Sequence, residues 1–284
     1  MLSKPALIAE ALLDALGIEG IPEVHQIATR LGVGIEEAAV ESFDGALVRI
    51  KGSTEGMIAI RQSIRELGKK NFTIAHELGH LLLPGHEEST VCLQGEVESW
   101  ESGIPKHELE ANEFAGELLM PSEVVRKALS GQKPSFEIIE EIAKNYAVSL
   151  TAAAYRFVKL TSYPCAIVWS QEGVSRWFRR SEEFEPWIRL GEKLDPQTFA
   201  SDCLNGDDVP STWESVPATA WLSGAVPDGF RILEQTRCMP FYAGSLSLLW
   251  LHQSLSASQE ENELLDELDP LDFTLGRTQW PRKR

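Results

Sequence analysis

The sequence is poor in the features that would take it out of an ordinary reducing compartment or into a bilayer. Its four cysteines, Cys92, Cys165, Cys203 and Cys238, are widely spaced and form no CxxC pair. Neither a disulfide framework nor a thiolate zinc site is therefore predicted. No uninterrupted apolar run approaches membrane-spanning length, so no membrane partner is expected. The opening MLSKPALIAEALLDAL carries acidic residues and lacks a clean apolar core, which argues against a signal peptide and for a cytoplasmic location.

Positive charge is also scarce. There are 26 Lys and Arg against 43 Asp and Glu, a formal charge of −17. Counted by region, 15 basic face 24 acidic residues up to Leu160, and 11 face 19 after it, so neither half is basic. Duplex DNA is held largely by neutralising phosphates, and direct DNA binding is a poor expectation for this chain. A protein partner suits it better. Hydrophobic residues at 43% and charged residues at 24% are ordinary for a globular protein, and 284 residues suit two or three domains.

What is present is concentrated in residues 71–85, NFTIAHELGHLLLPG. His76 and His80 are four residues apart, so on a helix they share one face about a turn from each other. Glu77 follows the first histidine. In H-E-x-x-H the two imidazoles bind Zn²⁺ and the glutamate is the general base. Ser63 and Glu66 have the form of a capping box ahead of this helix, Pro84 and Gly85 end it, and Gly68 and Asn71 weaken its start.

A catalytic zinc needs a third protein ligand and an open position. A second helix from Lys106 to Met120 offers Glu108 and Glu110. From Glu108 the helical neighbours are Ala111, Asn112, Ala115 and Leu119, a small, mostly apolar stripe that predicts an inward face. From Glu110 they are Glu113, Phe114 and Glu117, an acidic face suited to solvent. Glu108 is thus the expected ligand, and Asn112, one turn on, is placed to hydrogen-bond a ligating histidine, although it is equally suited to capping local backbone. His86, His107 and Tyr155 are all possible oxyanion donors, and the sequence does not choose among them.

FTIAHELGHLLL followed some thirty residues later by ELEANEFAGELLMP resembles the ImmA/IrrE family of zinc-dependent metallo-endopeptidases. The resemblance extends to FDGALVR at Phe43–Arg49 and AKNYAVSLTAAAYRFVKL at residues 143–160, about the first 165 residues in all. It implies His76, His80 and Glu108 as metal ligands and Glu77 as the catalytic glutamate. It also implies cleavage of a helix-turn-helix transcriptional repressor to relieve repression, in stress response or in mobile elements.

The expected fold is α+β. A gluzincin-like metallopeptidase domain at 1–130, with a small sheet and the H-E-x-x-H helix, precedes a helix-turn-helix-like segment at 131–162. A small α+β accessory domain at 163–258 and an acidic, flexible tail at 259–284 complete it. The second helix of the 131–162 segment carries only Arg156 and Lys159, which favours packing over DNA contact. The long polar stretch between Gly85 and Lys106 reads as a loop or lid. Zinc is the expected cofactor, with Mn²⁺ or Fe²⁺ compatible with two imidazoles and a carboxylate. The alternative is a non-catalytic metal-containing module that sequesters or senses a regulator. Against it, a structural site has no need of Glu77.

Overall fold

The computed structural model describes residues 2–39, 41–49, 56–86, 91–93, 105–227 and 229–252. Most of the polar stretch between Gly85 and Lys106 and the acidic tail lie outside the described residues. The chain divides into two compact units, Met1–Thr161 and Ser162–Arg284. No described helix is long and apolar enough to cross a membrane.

The first unit runs α1 (Lys4–Ala15), α2 (Val24–Arg30), β1 (Val33–Ala38), β2 (Phe43–Arg49), β3 (Gly56–Arg61), α3 (Leu67–Leu82), β4 (Val91–Leu93), α4 (Lys106–Leu119), α5 (Ser122–Leu129), α6 (Phe136–Asn145) and α7 (Leu150–Leu160). Its sheet has the order β1-β3-β2-β4, with β1 parallel to β3 and the other pairs antiparallel. The β2–β3 pairing follows from the apolar runs ALV and MIAI, whose Leu47, Ile58 and Ile60 are buried. β1 has no such run, because Glu36 and Glu37 occupy its exposed positions. β4 adds a short strand inside the stretch read from sequence as loop.

The start of α3 differs from the capping-box expectation. Ser63 Oγ donates to Glu41 instead, and the helix begins at Leu67 without a side-chain cap. Gly68 and Asn71, which look like weak helix residues, serve a contact. A Cβ on Gly68 would lie 2.3 Å from the backbone carbon of Val148, and Asn71 Nδ2 donates to Ala147 O at 2.9 Å. The α6–α7 turn is thereby seated on the first turn of α3, and tertiary contact outweighs helix propensity.

α4 packs along both α3 and α1. The stripe Ala111, Asn112, Ala115 and Leu119 is buried, as its small residues predict. The face expected to be solvated is buried too: Phe114 and Glu117 are each 0% exposed. Phe114 packs against Gly79 of α3, and Glu117 meets α7, whose Arg156 is itself buried and donates to Glu117 Oε2 at 2.8 Å, Ser122 Oγ at 3.0 Å and Met120 O at 2.8 Å. A charge that finds a charged partner and further hydrogen bonds is tolerated in the interior. Ser122 completes the set by donating its backbone N–H to Glu117 Oε1 at 2.6 Å.

The second unit runs β5 (Cys165–Gln171), β6 (Val174–Arg180), β7 (Trp187–Ile188), α8 (Phe199–Asn205), β8 (Glu214–Pro217), β9 (Leu222–Ser223), β10 (Arg231–Met239) and β11 (Gly244–Trp250). Five of its strands form an antiparallel sheet ordered β6-β5-β11-β10-β8, and β7 pairs with β9. Ala166, Val168, Phe184, Trp221, Ile232 and Leu249 share its core. Within that core Glu234 is 0% exposed and accepts from Trp221 Nε1 at 2.7 Å, Thr236 Oγ1 at 2.8 Å and Ala200 N at 3.2 Å. Cys203 and Cys238 form a disulfide with their Cα atoms 5.4 Å apart, which corrects the sequence reading of unpaired cysteines. Thirty-five residues separate them, and only the approach of α8 to β10 makes them neighbours. With that disulfide, the cysteines no longer point to a reducing compartment.

Candidate metal centre

Helix α3 is buried from Asn71 to His80, so its two histidines and Glu77 sit away from water. His76 and His80 project together as the i, i+4 spacing requires, with their Nε2 atoms 3.0 Å apart. Glu108, in the first turn of α4, meets both. Its Oε2 lies 3.0 Å from His76 Nε2 and its Oε1 lies 3.4 Å from His80 Nε2. One ligand atom from each of the three residues falls within 4.8 Å of the others, and among the described residues this is the one such group of His, Cys, Asp or Glu.

The helix spacing that permits this is set by Gly79. A Cβ there would lie 3.1 Å from Phe114 Cδ1 and 3.3 Å from Ala111 Cα, so a small residue on each helix lets the two backbones approach. The protonation states suit a cation. Burial depresses the His80 imidazole to about 4, an effect that its contact with Glu108 only partly offsets, so the ring is neutral near pH 7. Burial pushes Glu108 up, but its contacts with His76 and His80 outweigh that and hold it well below the usual carboxylate range. The His76 ring, a neutral His80 imidazole and an ionised Glu108 carboxylate form a donor set of the kind zinc takes.

Each histidine turns its Nδ1 outward. His76 Nδ1 donates to Asn112 Oδ1 at 2.9 Å, from the next turn of α4. His80 Nδ1 lies 2.9 Å from His86 Nδ1, and His86 Nε2 lies 3.2 Å from Glu110 Oε2. Glu110 is therefore no solvated glutamate: its side chain is 33% exposed and binds both His86 and Lys106. Sequence reasoning missed this because the partner arrives only after the chain turns back at Gly85, where φ is +86°.

Glu77 is 1% exposed and lies against β2. A Cβ on Gly45 would stand 2.5 Å from Glu77 Oε1 and 2.6 Å from Thr73 Cγ2. β2 is anchored there by its neighbour Asp44, fully buried and paired with Arg61 at 2.6 Å and Lys69 at 3.2 Å. Farther along β2, Arg49 donates to the carbonyl oxygens of His80 and His86. Of the three oxyanion candidates, His86 has both ring nitrogens engaged. His107 stays 48% exposed at the site, with Nε2 3.2 Å from Glu108 Oε1. Tyr155 lines a small pocket with Phe72, Asn112 and Lys159.

The model of the IrrE N-terminal-like domain, peptidase family M78, matches residues 28–158, which include every residue of this centre. Residues 28–158 are thus similar to the IrrE N-terminal-like family. The chain is 33% identical over 110 residues to the radiation response metalloprotease IrrE of Deinococcus deserti, covering 38% of each protein. It is 33% identical over 98 residues to the protein of the same description from Deinococcus radiodurans, covering 34% of this chain and 29% of that one. The matched segments thus span about a third of those relatives. A transcriptional regulator of Mycobacterium tuberculosis has a similar fold, with a TM-score of 0.55 at 14% identity over 90% of each chain. The IrrE-like match ends near the C-terminus of α7, and the second unit lies beyond it.

Proposed function

We propose that this chain is a zinc-dependent endopeptidase with a gluzincin-like core that cleaves a protein partner, a helix-turn-helix transcriptional repressor, and so relieves repression. The observation that carries the reading is Glu77: a buried carboxylate beside three converging metal-ligand candidates, which a purely structural site would not require. His76, His80 and Glu108 are the proposed ligands, with Zn²⁺ first and Mn²⁺ or Fe²⁺ compatible with the same donors. When bound, the cation supplies Lewis-acid activation of water and of the scissile carbonyl. Glu77 takes the proton of the attacking water on its carboxylate and passes it to the leaving amide nitrogen. That carboxylate lies against Gly45 of β2, and Asn112 fixes the tautomer of His76 by accepting from Nδ1. Similarity to metalloproteases over residues 28–158 supports the same class of chemistry.

The decisive experiment pairs metal analysis with a cleavage assay on the helix-turn-helix proteins encoded beside the gene. Purified protein is expected to carry about one zinc per chain. Glu77→Gln should keep the metal and lose cleavage by about 100- to 10,000-fold, read by mass mapping of fragments. A wild-type, zinc-loaded protein that binds its partner and leaves it full length would instead establish the sequestering module. Zinc retained undiminished in His80→Ala would overturn the ligand assignment.

A further inference from the structure

The contact of His80 with His86 is not used by the chemistry above, yet it is buried and continues to a carboxylate. We propose that Glu110 and His86 form an outer arm that orients His80 as a metal ligand, so that the two ligand histidines are held by partners of different strength. This rests on the ligand assignment of the preceding section.

The proton arrangement follows from the contacts. For His80 Nε2 to offer a lone pair among His76 and Glu108, its proton must sit on Nδ1. That atom is 2.9 Å from His86 Nδ1, and of two ring nitrogens at such a distance one donates and the other accepts. His80 therefore donates, His86 Nδ1 accepts, and the proton of His86 sits on Nε2. There it is 3.2 Å from Glu110 Oε2 and is donated to the carboxylate. The other carboxylate oxygen, Oε1, lies 3.1 Å from Lys106 Nζ. One assignment of protons satisfies every contact from Lys106 to His80.

The arm is built into the fold. α3 ends at Leu82, Gly85 adopts φ +86°, and the chain returns so that His86 is 2% exposed beneath the last turn. Arg49 donates to His86 O at 2.9 Å and also to His80 O, which fixes the two residues relative to each other from β2. On the other side, His76 donates to the neutral amide of Asn112 at 2.9 Å. An imidazole backed through another imidazole by a carboxylate is the more basic donor, so His80 is the better held of the two. His86 and Glu110 are positioning residues, acting on metal affinity rather than on the peptide bond.

The test uses full-length protein and zinc itself, titrated against a chromophoric chelator. His86→Ala is expected to weaken zinc by about 10- to 100-fold and Glu110→Gln by less, each still reaching one zinc per chain at saturation. His86→Gln, which keeps an acceptor for His80 Nδ1, should recover part of the loss. In the zinc-loaded protein, nitrogen-15 histidine spectra should give His86 as a neutral ring protonated on Nε2. The His80 Nδ1 proton should shift in Glu110→Gln, a partly exposed position that spares the fold if His86→Ala does not. Wild-type zinc affinity in both His86→Ala and Glu110→Gln would overturn the arm, as would a spectrum in which His86 binds the metal directly. Failure of the ligand reading looks different, because His76→Ala and His80→Ala would then also keep their zinc.

Discussion

Gly45 shows how closely the first unit is fitted around one carboxylate. Adding a single methyl there sets a Cβ 2.5 Å from Glu77 Oε1 and 2.6 Å from the Cγ2 of β-branched Thr73. The carboxylate can swing away, whereas Thr73 is stiff at χ1 and buried. Gly45→Ala is therefore expected to lower turnover by about 100-fold while leaving metal content at the wild-type level, checked by cleavage rates beside metal analysis. At this scale the sequence is informative where the geometry is local. The i, i+4 spacing of His76 and His80 and the small stripe after Glu108 follow from helical pitch alone. Glu110, His86 and Gly45 are opaque for the opposite reason, since each depends on a residue from another element: His86 for Glu110, Arg49 for His86 and Glu77 for Gly45.

Among the elements, α4 carries the most partners. Its first turn faces α3 with Glu108, and its last turn is joined to α7 through Glu117 and Arg156. Removing Arg156 leaves Glu117 as an uncompensated charge in the interior. Arg156→Ala is expected to destabilise the protein by about 3–5 kcal/mol, read by urea unfolding, and replacing Glu117 and Arg156 together by apolar residues should cost much less than the single change. The same pair bears on nucleic acid. Arg156 is committed to Glu117 and Lys159 to Glu113, so both cations of α7 are spent on α4, and a helix-turn-helix outline here provides little for phosphate. The boundaries of α6 and α7 are readable from sequence because Ser135 and Ser149 cap them locally. β1 and β4 are not, since β1 has its apolar residues broken by Gly34, Glu36 and Glu37, β4 is only three residues long, and each exists through the strand it pairs with.

At the scale of the whole molecule, the second unit carries a pH-sensitive group of its own. Burial raises Glu234 to about 7 from an ordinary value of 4.5, only partly offset by its hydrogen bonds from Trp221, Thr236 and the α8 backbone. Between those values the folded state holds a proton that the unfolded state has lost. The contribution of this group is thus fully present below pH 4.5 and is lost as pH rises through about 7. The second unit should melt at lower temperature at about pH 8 than at about pH 5, and Glu234→Gln should flatten that dependence, measured by calorimetry. A rise from 4.5 to about 7, at about 1.4 kcal/mol for each tenfold change in proton affinity, makes the full effect a few kcal/mol. Glu234 also meets the backbone of α8 at Ala200, while the disulfide ties the same helix to β10 through Cys203 and Cys238. α8 is accordingly fastened by two clasps with separate keys, one opened by thiols and the other loosened by alkali, and in a reducing, alkaline buffer the packing of Ala200 and Phe199 carries the helix.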